Sequence, residues 1–118
     1  MGSVKSAKAK GRKLQNFVRD ELRTAFPELE EDDIKSQTMG MTGEDIVLSP
    51  AARKLIPYSF ECKNVERLQF WSSVEQAEAN CKKGVVPAVV VKKNRKNPYI
   101  AIPLGCFIEI IGESVGKR

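Results

Sequence analysis

The sequence predicts a mixed α/β domain in which helices cover a central sheet. Three observations carry that prediction. Leu14, Phe17, Val18, Leu22 and Ala25 recur at helical spacing and form one apolar face. A second helical pattern occupies residues 68–81. Short strand-like runs lie between and after these patterns, and residues 85–91 are almost continuously apolar, the mark of a strand covered on both faces.

Taken in order, residues 1–10 are small and basic without periodicity and read as a mobile arm. The first helix is expected from Gly11 and ends by Pro27, because proline disfavours helical backbone in the residue before it. Glu28 to Asp33 reads as a solvated acidic connection, anchored by Leu29 and Ile34. Gly40 and Gly43, set among polar residues, predict a loop or irregular strand over 36–43. Asp45 to Leu48 reads as a short strand stopped by Ser49-Pro50, and proline after serine also suits the first turn of a short helix through Ala51, Ala52 and Arg53. Pro57 precedes a strand with two faces, Tyr58, Phe60 and Cys62 on one and Ser59, Glu61 and Lys63 on the other.

In the helix expected over 68–81, Leu68, Trp71, Val74, Ala77 and Cys81 fall on the apolar side, which places Trp71 in the core, and Gly84 caps the end. The buried strand follows, then a basic turn over 92–97 and a strand over 99–102. Residues 104–111 form a last short helix or strand, with Phe107, Ile108 and Ile111 suited to a helix packed on the sheet. From Gly112 the chain reads as a tail. Residues 11–112 thus make one domain, and 118 residues bury one core.

Composition narrows the chemistry. The chain has no histidine. That removes Ser-His-Asp hydrolases, Cys-His proteases and zinc deaminases together, so any catalysis rests on carboxylates, lysine, hydroxyls and a hard metal ion. The three cysteines, Cys62, Cys81 and Cys106, are scattered and form no paired motif, which argues against a disulfide framework and a structural zinc site and for reduced, buried thiols. No apolar run reaches the ~20 residues that span a bilayer, and the opening residues lack the apolar stretch of a secretory signal, so a soluble, cytoplasmic protein is expected.

The net charge is +5, from 20 basic and 15 acidic residues. Two clusters carry the excess: Lys5, Lys8, Lys10, Arg12 and Lys13, then Lys92, Lys93, Arg95 and Lys96. Both suit a polyanion, whose condensed counterions are released when phosphates are neutralised. Lys10, Arg12, Lys13, Lys92, Lys93, Arg95 and Lys96 are therefore the candidate nucleic-acid contacts. Solvated surface is the alternative reading of the same charges.

The chemistry-bearing constellation is Asp45 followed, sixteen residues later, by Glu61-Cys62-Lys63. Paired strands would bring the two carboxylates and the ammonium to one end of the sheet. Neighbouring carboxylates repel unless a cation lies between them, and oxygen ligands of this kind suit Mg²⁺ or Mn²⁺. The Cys62 backbone carbonyl would complete the protein's share of the shell. A metal there polarises a phosphate oxygen and acidifies a bound water, while Lys63 orients that water and offsets developing charge.

Asp plus Glu-x-Lys at this spacing resembles the PD-(D/E)xK signature of restriction-endonuclease-like nucleases, and within them the small Holliday junction resolvases of archaea and bacteriophages. The resemblance spans roughly residues 10–111. It implies a mixed central sheet flanked by helices, with Asp45 and Glu61 as metal ligands and Lys63 as the catalytic lysine. It also implies that Gln76, on the helix after Glu-x-Lys, faces the active site. Lys10-Gly11-Arg12-Lys13-Leu14-Gln15 resembles the glycine-initiated basic opening of the resolvase first helix. Gln15 stands where many relatives carry a metal-facing glutamate, which departs from the pattern and bears on a second metal; Glu44 stands where the motif has proline.

The implied activity is Mg²⁺- or Mn²⁺-dependent cleavage of branched DNA by a homodimer, since two symmetric cuts need two sites. Phe107, Ile108 and Ile111 are the candidate dimer face. A nicking or restriction-like nuclease on duplex or flap DNA, and an inactive DNA-binding module of the same fold, remain open alternatives.

Overall fold

A strand flanked by apolar residues on both faces needs cover on both, and that requirement organises this chain. The computed structural model describes residues 4–116. The first helix, α1, runs from Val4 to Ala25. It buries Leu14, Gln15 and Val18, with Leu22 partly buried, and Leu14, Val18 and Leu22 recur every four residues along one stripe. Phe26 donates to the Leu22 carbonyl at 3.0 Å to close the last turn before Pro27. A single 3-10 turn, Glu31–Asp33, leads into β1, Ile34–Ser36.

β2, Ile46–Leu48, pairs antiparallel with β1, matching Ile34 to Leu48 and Ser36 to Ile46. The short helix α2, Pro50–Leu55, follows at once. Its N-cap is Ser49, whose hydroxyl accepts from the Ala52 N–H at 3.1 Å, with proline at the first helical position. β3, Tyr58–Asn64, pairs parallel with β4, Val86–Lys92, through the crossover helix α3, Phe70–Asn80. β5, Tyr99–Ala101, closes the sheet antiparallel to β4, and α4, Leu104–Gly116, ends the described chain.

The backbone ladders form a two-stranded sheet, β1-β2, and a three-stranded sheet, β3-β4-β5. The two are stitched together just before β2, where the Asp45 N–H donates to the Phe60 carbonyl of β3 at 3.0 Å. On one face Phe60, Cys62, Ala88 and Val90 join Leu14, Val18, Ile34, Ile46, Ala52 and Ile56 in a single core under α1. Ile34 and Ile46 are fully buried, and each contributes about 1.5–3 kcal/mol by removal of its side chain from water. On the other face α3 lays Ser73 and Ala77 against β3 and β4. This second layer is thin, and it is where the polar residues of β3 lie.

Several expectations need correction. The basic segment at residues 5–10 is helix, not arm, because lysine and alanine favour helix and Gly11 costs only about 1 kcal/mol inside one; residues 1–3 lie outside the described residues. The tail expected from Gly112 is helical through Gly116. The segment over 36–43 is preceded by a true strand, β1, because Ile34 is captured by the core and Ser36 pairs with Ile46. Trp71 is 74% exposed, since α3 turns its small residues, not its large ones, to the sheet. Helix α3 ends at Asn80, and Gly84, at φ +82°, serves the turn into β4 instead of a cap. Of the three thiols, which are all free, only Cys62 is buried. Phe107, Ile108 and Ile111 of α4 remain about half exposed, so the helix is not sealed onto the sheet. Phe107 and Ile110 instead line an apolar groove of about 410 Å³ with Leu22, Phe26, Tyr58 and Ile102.

Candidate active site

Asp45 immediately precedes β2 and is held there by three backbone and side-chain bonds. Its N–H reaches the Phe60 carbonyl at 3.0 Å, and its carbonyl accepts from the Gln37 N–H at 2.8 Å. Its carboxylate accepts from the Cys62 N–H at 2.6 Å. The last bond substitutes for strand pairing, since β2 does not extend along β3. An extended residue sends its N–H and C=O to the same edge of the strand. The Cys62 carbonyl is therefore directed to the edge that Asp45 occupies.

Glu61 and Lys63 project from the opposite face, toward α3. The Lys63 ammonium donates to Gln76 Oε1 at 2.8 Å and lies 3.5 Å from Glu61 Oε2. Asn80, one turn beyond Gln76, donates to Glu61 Oε1 at 3.4 Å. Glu61 is buried and Lys63 half-buried. Sequence reasoning singled out Gln76 but not Asn80, although the i, i+4 spacing that puts both on one helix face was present in the sequence.

Both carboxyls are pushed above their ordinary range. For Asp45 the cause is burial, opposed by the Cys62 N–H, the Lys63 charge and a hydrogen bond from Gln15. For Glu61 the causes are burial and then the Asp45 charge, opposed by Lys63 and Asn80. The Cys62 thiol between them is raised for the same reasons, burial first, and stays protonated. Burial raises both carboxyls, and the Asp45 charge raises Glu61 further, so the place favours an added positive charge.

Gln15 answers that description from α1. It is buried, its amide hydrogen-bonds the Asp45 carboxylate, and its Oε1 has no hydrogen-bond partner. An orphaned buried carbonyl oxygen costs about 1–3 kcal/mol unless something fills its need. Among the described residues no group of three His, Cys, Asp or Glu side chains gathers into an all-protein metal cage. Mg²⁺ does not require one, because it commonly takes one or two carboxylates and completes its shell with water and substrate oxygens. Asp45, Glu61, the Cys62 carbonyl and Gln15 Oε1 are all oxygen donors of the kind that could hold a hard divalent cation.

The loop bearing Asp45 has a clamp that the sequence did not disclose. Arg53 of α2 donates to both oxygens of Glu44 at 2.7 Å and to the Tyr58 carbonyl at 2.6 Å. Glu44 precedes Asp45 and Tyr58 opens β3, so a single guanidinium ties together the two segments that supply the carboxylates. Its rigid fork aims Nη2 at Glu44 and Nη1 at the Tyr58 carbonyl.

The candidate nucleic-acid contacts divide by position. Lys10, Lys13 and Lys92 line one groove and Lys92, Lys93 and Lys96 another, with Lys92 shared. Arg12 and Arg95 line neither, and Arg95 adopts the left-handed conformation, φ +66°, that turns the chain between β4 and β5. No described helix is long and apolar enough to cross a membrane. No protein-family model, no curated protein and no solved structure matches this chain, whose described residues form an α/β arrangement of four α-helices and two small sheets.

Proposed function

We propose that this chain is a Mg²⁺- or Mn²⁺-dependent endodeoxyribonuclease with a PD-(D/E)xK-type site on a restriction-endonuclease-like fold, acting as a dimeric Holliday junction resolvase. The observation that carries the reading is the bond from the Cys62 N–H to the Asp45 carboxylate. It brings a carboxylate from outside the β3 ladder beside Glu61-Cys62-Lys63, so that a half-buried and a buried carboxyl, both with raised proton affinity, lie near one another.

When bound, the cation would polarise a phosphate oxygen and acidify a water. The chain's own groups do the rest. Asp45 and Glu61 hold the charge, with Gln15 Oε1 and the Cys62 carbonyl as neutral donors. Gln76 and Glu61 fix the Lys63 ammonium, which orients the attacking water and balances charge on the phosphate. Asn80 steadies Glu61 from α3. Dimerisation places two such sites about a two-fold axis, as paired nicks in a four-way junction require.

The test is cleavage of a labelled four-way junction and a matched linear duplex, with Mg²⁺, Mn²⁺ or EDTA. Paired symmetric nicks in the junction alone, abolished by EDTA and by Glu61→Gln, are the expected result. Lys63→Ala should lower the rate about 10²-fold or more. Cutting of both substrates would retain the nuclease and discard the junction specialist. Binding without any cutting would overturn the enzyme reading.

A further inference from the structure

The two basic clusters are far apart in sequence but meet in the fold. Lys10 and Lys13 of α1, Asn64 of β3, and Lys92, Asn94 and Asn97 at the β4–β5 turn line one groove of about 360 Å³. Its floor begins one residue past Lys63. There the Asn64 amide donates to the Lys10 carbonyl at 3.1 Å, while Asn64 Oδ1 is buried without a partner. Three lysines and three amides, with little acid, describe a surface for a chain of phosphates.

One acid does stand beside it. Glu66 Oε2 accepts from the Asn94 backbone N–H at 2.6 Å and lies 3.7 Å from the Lys10 ammonium. The Asn94 N–H, then Lys10 and Lys93, hold the Glu66 carboxyl below its ordinary range. A backbone N–H at a tight turn plus an ammonium is the donor set that a phosphate oxygen takes. Glu66 itself is exposed, and the two contacts are assisted only by the nearby Lys93 charge among the causes that act on its carboxyl.

We propose that this groove is a track for the sugar-phosphate backbone of a DNA strand leading away from Lys63, and that Glu66 fills its anion seat until a phosphate displaces it. The inference rests on the nuclease reading for the polymer it names and adds where the strand lies and what guards it. Release of Glu66 by phosphate frees Lys10 and the Asn94 N–H together. The seat therefore favours a polyanion threaded along the groove over a lone anion, which would face the carboxylate with only one phosphate to offer.

The experiment is fluorescence anisotropy of labelled duplex and junction DNA in EDTA, on the full chain carrying Glu61→Gln, across a salt series. Adding Glu66→Gln should tighten binding about three- to ten-fold at low salt by removing the competing charge. Adding Lys10→Gln with Lys92→Gln should instead flatten the slope of log K against log salt by about 1.8, the value for two lost phosphate contacts. Lys54→Gln on α2, which lines neither groove, serves as the control and should change neither quantity. Unchanged or weaker binding by a folded Glu66→Gln variant would overturn the guarded seat. A salt slope unaltered by the double lysine change would overturn the track. Because no metal and no cutting enter this assay, a track that binds in a chain that never cleaves would sink the nuclease reading alone.

Discussion

Glu61 is asked to remain charged in a place that disfavours charge. Its proton affinity is raised by burial and by the Asp45 charge. An acid raised in the folded state contributes stability that is fully present below its unfolded pKa of about 4.3 and is lost as pH rises through the higher folded value. Glu61→Gln should therefore raise Tm at pH 7.5 in EDTA, with the gain over wild type shrinking toward pH 4. A divalent cation reverses the comparison. At a hundred times its Kd it should stabilise wild type by about 2.7 kcal/mol and the variant far less, as read by thermal melts with and without Mn²⁺. No cation-dependent gain in wild type would argue against the metal site whatever the activity assays show.

Asp33 behaves in the opposite sense. Its carboxylate accepts from the Ser49 hydroxyl at 2.6 Å and from the Glu30 N–H at 2.8 Å, and these bonds hold it below the ordinary range. A depressed acid contributes stability above its unfolded pKa and loses it as pH falls through the folded value. Asp33→Ala should lower Tm by a few degrees at pH 7, and the gap should shrink as the pH falls below the ordinary carboxylate range. An equal gap across that fall would show that the side chain acts through packing and not through its charge.

At the scale of elements, α2 does more than connect two strands. Its Arg53 fork holds Glu44 and the start of β3, with both partners of the ion pair largely out of solvent. Removing one partner of such a pair leaves a buried charge unanswered, at a cost of about 3 kcal/mol. Urea unfolding of Arg53→Met should show that loss, and the double change with Glu44→Leu should recover most of it. If both variants fold with wild-type stability, the clamp is ornamental. Helix α1 has a comparable double duty. Its buried stripe supplies the core through Leu14 and Val18 and the site through Gln15, while its exposed side presents Lys10 and Lys13 to the groove.

For the whole molecule, the notable surface is α4. Leu104, Phe107, Ile108, Ile110, Ile111 and Val115 are all exposed, and the helix carries no lysine or arginine between Leu104 and Gly116. Such a face is unsuited to DNA and suited to a protein contact. It is the natural seat of the proposed dimer, offering the same patch from each copy as a two-fold axis demands. Ile108→Glu with Ile111→Glu should convert a dimer into a monomer by sedimentation velocity, and abolish paired nicking of a junction while leaving the fold intact. A wild-type chain that sediments as a monomer at assay concentrations would remove the dimer from the proposal.

Local pattern was enough to read the body of α1, α3, the β3, β4 and β5 strands and the basic turn, because those signals are periodicity, proline and glycine placement, and charge, but not the first turns of α1 or the full helix α4. It was also enough to nominate Asp45, Glu61 and Lys63, since Glu-x-Lys alternation puts two of them on one strand face, while Gln76 came only from the family resemblance. Where pattern failed, a long-range contact had decided the outcome. Trp71 looked like core from spacing alone, yet the sheet needed small residues from α3 at that distance. The strand β1 is too short to announce itself and exists because Ile34 is buried and β2 is there to pair with it. The basic opening had no periodic face to betray a helix, and its lysines matter only because the β4–β5 turn lies beside them.

The sequence by itself determined the chemistry available: no histidine, two carboxylates, one Glu-x-Lys strand and an excess of positive charge. Those are properties of residue type and near-neighbour spacing, which need no fold to be read. Tertiary structure alone decided the rest. The Asp45 carboxylate sits on the Cys62 N–H, Gln15 carries an orphaned oxygen, Arg53 locks Glu44 to β3, and Glu66 lies across Lys10 and Asn94. Each of these joins groups separated along the chain, and only burial and directional hydrogen bonding in the packed state select such partners.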